Sequence, residues 1–118
     1  DAGVDSLSGG TGNDRYYVDL VQDGDVVRLE DTVFESANAG TDEVILSGTI
    51  VLANATTLLV GSNIENFSFD FATDTKLNAT GNTLSNKIVG NNVDNIIDGG
   101  TGNDLLYGNE GNDSLIGG

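Results

Sequence analysis

Glycine returns every nine residues towards the C-terminal end, at Gly81, Gly90, Gly99, Gly108 and Gly117. Ile88, Ile97, Leu106 and Leu115 keep the same spacing, and so do Asn86, Asn95, Asp104 and Asp113. Three residue classes at fixed offsets define a repeat, and a repeat constrains a fold more than composition does. Each unit is one small piece that cannot bury its apolar residue alone, so copies must stack. The units are GNTLSNKIV, GNNVDNIID, GGTGNDLLY and GNEGNDSLI. The register reappears as GGTGNDRYY over Gly9–Tyr17, with Asp14 at the acidic place and Tyr16 at the apolar one. Before it, DAGVDSLS is a unit lacking its first residue, with Asp5 and Leu7 in those places. Both ends cut a unit part-way, so the sequence reads as a piece of a longer array.

Each unit divides into a six-residue polar turn and a three-residue strand. Two units make one coil, so turns two units apart in sequence are neighbours in space. Asp104 lies two units after Asn86, and Asp113 lies two units after Asn95. Each pair is expected to face across a gap between stacked turns, with carboxylate, amide and main-chain oxygens around it. An oxygen-only cage suits a hard cation, and Ca²⁺ better than Mg²⁺, because such a cage is flexible and somewhat large.

Composition narrows the chemistry further. The 118 residues carry 19 acids and four basic side chains, a net charge of −15, and no His, Cys, Met, Trp or Pro. Structural zinc, a Ser-His-Asp triad, a thiol nucleophile and a disulfide are thereby excluded. Arg15, Arg28, Lys76 and Lys87 are too few to neutralise a phosphate backbone, which argues against nucleic acid and an anionic membrane surface. No window is apolar enough to span a membrane, and no signal peptide is visible. With only 37% hydrophobic residues the composition lies near the border with disorder. A bound cation is therefore the natural means of cancelling the acidic self-repulsion.

The chain divides into repeats over 1–17, an irregular β-rich segment over 18–80, and repeats over 81–118, read together as one domain. The middle alternates β-prone runs with turn-like stretches. The runs are Tyr16–Val18, Val26–Leu29, Val44–Leu46, Thr49–Leu52, Thr57–Val60 and Phe67–Phe71. Turns are expected over Gln22–Asp25 and Ser36–Thr41. Alternation puts Phe67, Phe69 and Phe71 on one buried face. Ala37–Ile45 reads as a degenerate unit, with Gly40, Asp42 and Val44 at the repeat offsets. No long 3.6-period apolar face occurs, so substantial helix is not expected. The middle is expected to continue the solenoid, because its runs are short and the register resumes at Gly81.

GGTGNDLLY and GNEGNDSLI resemble the glycine- and aspartate-rich nonapeptide GGxGxDxUx of RTX (repeats-in-toxin) proteins. The middle, with a tyrosine-valine strand followed by GTDEV and IENFSF, is similar to intervening stretches of long bacterial proteins of that class. The resemblance implies an all-β fold, a right-handed parallel β-roll or β-solenoid with a less regular β-rich middle. It also implies folding by Ca²⁺ and export by type I secretion. It implies two ligand sets: Asn82, Leu84 and Asn86 with Gly99, Thr101 and Asp104, and Asn91, Val93 and Asn95 with Gly108, Glu110 and Asp113. Places one to four would give main-chain carbonyls and place six the side chain. Both earlier turns carry Asn where the family has Asp, so each site lacks one formal charge and is expected to be weaker. The better turns are those of Asp5, Asp14, Asp104 and Asp113.

Plainer readings stand beside these. Asp-Gly-Asn clusters make turns without metal, and Asn86 and Asn95 can form ladders that satisfy backbone groups. Asp23, Asp25 and Asp42 read as solvated turn residues, although Asp23, two units' length after Asp5, leaves an additional site open. The GGTGND turns lack the lysine of a phosphate loop. The leading expectation is a non-enzymatic, calcium-binding structural module of a secreted or cell-surface bacterial protein. The alternatives are a carbohydrate-associated module similar to those of alginate epimerases, with polysaccharide as partner, and a spacer in an adhesin or surface-layer array flanked by neighbouring repeats.

Overall fold

The computed structural model describes residues 3–48, 50, 54–69, 72 and 74–118. Twelve strands form among them, with no helix. They are β1 (Ser6–Leu7), β2 (Arg15–Asp23), β3 (Val26–Leu29), β4 (Thr32–Val33), β5 (Glu43–Ser47), β6 (Thr56–Leu59), β7 (Asn66–Ser68), β8 (Leu77–Thr80), β9 (Lys87–Val89), β10 (Ile96–Asp98), β11 (Leu105–Tyr107) and β12 (Ser114–Ile116). The expected Thr49–Leu52 run lies largely outside the described residues, as does Phe71.

The strands stack as a parallel β-solenoid. One sheet runs β11-β9-β7-β5-β2-β3, a second runs β12-β10-β8-β6, and β1 pairs with β4. Every pairing is parallel except the β2–β3 hairpin, which turns at Gly24 (φ 63°) and Asp25. In the C-terminal coils the register is two repeat units, as the periodicity demands: Ile88 faces Leu106, Ala79 faces Ile97 and Ile97 faces Leu115. Towards the N-terminus the coils lengthen. Phe67 pairs with Ile88, Val44 with Phe67 and Tyr16 with Val44, and the stretch of chain between partners grows at each step.

This register builds two apolar columns. Tyr16, Val44, Phe67, Ile88 and Leu106 stack in one sheet, and Leu58, Ala79, Ile97 and Leu115 in the other. Ile88 and Ile97 are fully buried, whereas Leu115, in the last coil, is 47% exposed. Burying one such side chain contributes about 1.5–3 kcal/mol, so a three-residue strand is stabilised mainly by its neighbours above and below. Phe67 and Phe69 are both buried and meet edge to face at 6.1 Å. Among the described residues no helix is long and apolar enough to cross a membrane.

Candidate metal centre

The repeat turns fall into two backbone classes. In the GGxGxD-like turns, places two and four have positive φ: Gly10 and Gly12 (93° and 119°), Gly100 and Gly102 (85° and 127°), Asn109 and Gly111 (70° and 112°). In turns 81–86 and 90–95 the same places hold Asn82, Leu84, Asn91 and Val93, none with positive φ. Forcing a side chain such as Leu or Val into the left-handed region costs roughly 1–2 kcal/mol, so place four decides the class. Glycine also lets the turns touch. A Cβ on Gly102 would lie 2.6 Å from the Leu84 carbonyl oxygen, and one on Gly100 equally close to that of Asn82.

The Asn turns hold themselves together with amides. Asn86 Oδ1 accepts from Asn82 N–H at 2.9 Å, and its Nδ2 donates to the Ile64 carbonyl at 2.9 Å. Asn95 Oδ1 accepts from Asn91 N–H at 3.1 Å, and its Nδ2 donates to the Leu77 carbonyl at 2.8 Å. Asn82 Nδ2 reaches the Gly61 and Ile64 carbonyls, and Asn91 Nδ2 those of Ala72 and Thr75. Asn86, Asn91 and Asn95 are buried. Their donors satisfy main-chain oxygens that would otherwise be sealed from water, each such omission costing about 1–3 kcal/mol.

The Asp turns leave oxygens over. At each stacked pair, the N–H before a strand donates to a carboxylate of the following coil. Asn86 N–H donates to Asp104 Oδ1 (2.8 Å), Asn95 to Asp113 Oδ1 (2.9 Å), Asp14 to Asp42 Oδ1 (2.9 Å) and Asp5 to Asp31 Oδ1 (2.9 Å). The second oxygen of Asp104 is sealed from solvent and has no hydrogen-bond partner, and the same holds for Asp14 Oδ2. A buried, unpartnered carboxylate oxygen calls for a cation. A Cβ on Gly90 would lie 2.8 Å from the Gly108 oxygen and also against Asn95 Oδ1, so these two oxygens converge. Gly99 O and Asn86 Oδ1 converge on Gly81 in the same way. These donors are all hard oxygens, the set that fits Ca²⁺.

The structure therefore brings together Asn82, Leu84 and Asn86 with the Gly99–Asp104 turn, and Asn95 with Gly108 and Asp113. Val93 O lies beneath Gly111, 2.9 Å from where its Cβ would be. Thr101 and Glu110 expose their side chains, which leaves them only main-chain carbonyls to offer a shared cage. Asp5 and Asp14 lie in other rows, stacked on Asp31 and Asp42.

One expectation is corrected, and one alternative left open is closed. Asp42 is 1% exposed and accepts a hydrogen bond from Asp14, so it is not a solvated turn residue. The turn composition suggests solvent, but a coil stacked above and another below cover it. Asp23 does not stack on Asp5; it is exposed near Arg28 (3.5 Å), and Asp31 takes the stacked place. The β2–β3 hairpin lengthens this coil beyond two repeat units. Asp31, Glu35 and Glu65 were not singled out by the periodicity, although Glu65 precedes β7 as Asp42 precedes β5, and Asp42 N–H donates to its Oε2 at 2.9 Å.

A family model for the RTX calcium-binding nonapeptide repeat matches the chain in four copies, over residues 1–23 and 80–118. No curated protein and no solved structure matches it. The match covers more than half of the residues and coincides with the glycine-rich turns and their sealed carboxylates: the chain belongs to the RTX calcium-binding nonapeptide repeat family.

Proposed function

We propose that this chain is a calcium-binding β-roll module of a secreted or surface-attached bacterial protein, whose acidic turns are kept from folding by their own charge until they meet extracellular Ca²⁺. The sealed, unpartnered Oδ2 of Asp104 carries this reading. One ion would be held by the carbonyls of Asn82, Leu84, Gly99 and Thr101 with the side chains of Asn86 and Asp104. A second would be held by Asn91, Val93, Gly108 and Glu110 through carbonyls, with Asn95 and Asp113. Asp5 and Asp14 supply carboxylates to the N-terminal rows. The ion neutralises carboxylates that stacking forces together. At extracellular affinities of about 10⁻⁴–10⁻³ M, cytosolic Ca²⁺ leaves such sites empty and millimolar Ca²⁺ fills them. Each ion at ten times its dissociation constant stabilises the fold by about 1.4 kcal/mol. Support comes from the family, the −15 charge and the scarcity of basic counterweights. Circular dichroism through a calcium titration tests it. Strand signal is expected to rise between chelator and millimolar Ca²⁺, and a spectrum indifferent to calcium would overturn the reading.

A further inference from the structure

We propose that a carboxylate from outside the repeat turns completes a cation site: Glu35 joins Asp14 and Asp42, the aspartates of two stacked turns, to hold one calcium ion between turn 9–14 and the segment 35–42. Glu35 and Asp42 lie outside the residues matched by the repeat family. One oxygen from each of the three carboxylates lies within 4.8 Å of the other two. Three points so spaced share a centre no more than about 2.8 Å from each, close to the 2.3–2.6 Å of a Ca²⁺–oxygen contact.

Proximity of acids alone would say little, and two further observations point to a ligand. Asp14 Oδ2 and Glu35 Oε2 are both sealed from solvent with no hydrogen-bond partner, and Asp42 is 1% exposed. The surroundings also hold Glu35 in place. Gly9 N–H lies between Tyr16 Oη (2.6 Å) and Glu35 Oε1 (3.4 Å), Asn63 Nδ2 donates to the Glu35 carbonyl at 2.9 Å, and Phe34 N–H donates to the Leu7 carbonyl at 2.9 Å. Oε2 is the oxygen this scaffold leaves over. The adjacent cation, Arg15, turns outward to Glu43 at 2.8 Å. Three carboxylates thus converge, and among the described residues the arginine ion pairs go elsewhere, to Glu43 and Asp23. Burial of like charges without a partner is unfavourable enough that a divalent ion is the natural complement.

The ligand set is all hard oxygen and irregular in origin, which suits Ca²⁺ over octahedral Mg²⁺ and excludes soft metals. The choice of calcium rests on the reading of the repeats given above; the position rests on these side chains alone. The ion would tie the first repeat coil to the non-repeat middle.

The test uses the full chain, calcium chloride in calorimetry, and terbium chloride in luminescence excited through tyrosine. Glu35→Gln is expected to lose one bound ion per chain. Tyr16→Phe is expected to lose the terbium emission that Glu35→Gln also removes, because the Tyr16 hydroxyl sits at Gly9, whose Cβ position abuts the Asp14 carboxylate. Asp104→Asn should leave that emission intact while weakening a repeat site. Unchanged stoichiometry and emission in Glu35→Gln would overturn the site. If Asp104→Asn changes nothing but Glu35→Gln loses its ion, the repeat reading fails and this site stands. Should Glu35→Gln not fold, Tyr16→Phe decides: emission retained overturns the proposal, and emission lost supports it.

Discussion

The Asn turns at 81–95 and the Asp turns at 9–14 and 99–113 solve one problem in two ways. Stacked turns crowd main-chain oxygens together. Asn82, Asn86, Asn91 and Asn95 meet those oxygens with amide donors and need no charge. Asp14 and Asp104 bring more oxygen instead, one atom of each left without a partner. The first solution leaves no amide group over; the second leaves an oxygen for which a divalent ion is the natural complement. One solenoid thus contains turns that satisfy themselves and turns that leave an oxygen over, told apart by whether place four is Gly or a branched apolar residue.

Removing calcium should break the comparison most visibly. With EDTA, amide hydrogen exchange in turns 9–14 and 99–113 is expected to accelerate by orders of magnitude, while turns 81–95 keep much of their protection. Uniform loss across both classes would show that they do not differ. Ile88→Ala strikes the column that both classes share. It should cost about 2–5 kcal/mol in urea unfolding, by a similar amount with and without calcium. Asn86→Asp converts one class into the other. In EDTA it should destabilise by about 1–3 kcal/mol, because the Ile64 and Glu65 carbonyls lose their donor; with calcium much of this is regained, and calorimetry should show a tighter site. Gly102→Ala tests the backbone distinction. At φ 127° and beneath the Leu84 carbonyl, it should cost about 1–3 kcal/mol, whereas Thr101→Ala, one place earlier and exposed, should be nearly neutral.

What was legible in the sequence was what the repeat controls. The two-unit register, the column through Ile88 and Leu106, and the pairing of Asn86 with Asp104 follow from spacing alone. The middle obeys no such spacing, because solenoid coils tolerate insertions wherever the extra residues leave at a corner. The hairpin at Gly24 moves Asp5's partner from Asp23 to Asp31, and no count along the chain anticipates it. Asp42 shows the converse. Its offset within a degenerate unit was readable, but its burial depends on Glu65 and Asp14 arriving from the coils after and before it. Glu35 follows no offset; only the fold brings it beside Asp14.

The shortening of the coils from the Tyr16–Val44 row to the Ile88–Leu106 row also gives the molecule a direction. Closing a shorter loop costs less chain entropy, and local contacts form sooner than distant ones. Among the shortest closures, the pairing of strands 77–80 and 96–98 is spanned by the amide-filled turns 81–86 and 90–95, which hold themselves together without charge. That part of the chain is the expected nucleus, a template on which the acidic turns at either side can wind once calcium arrives.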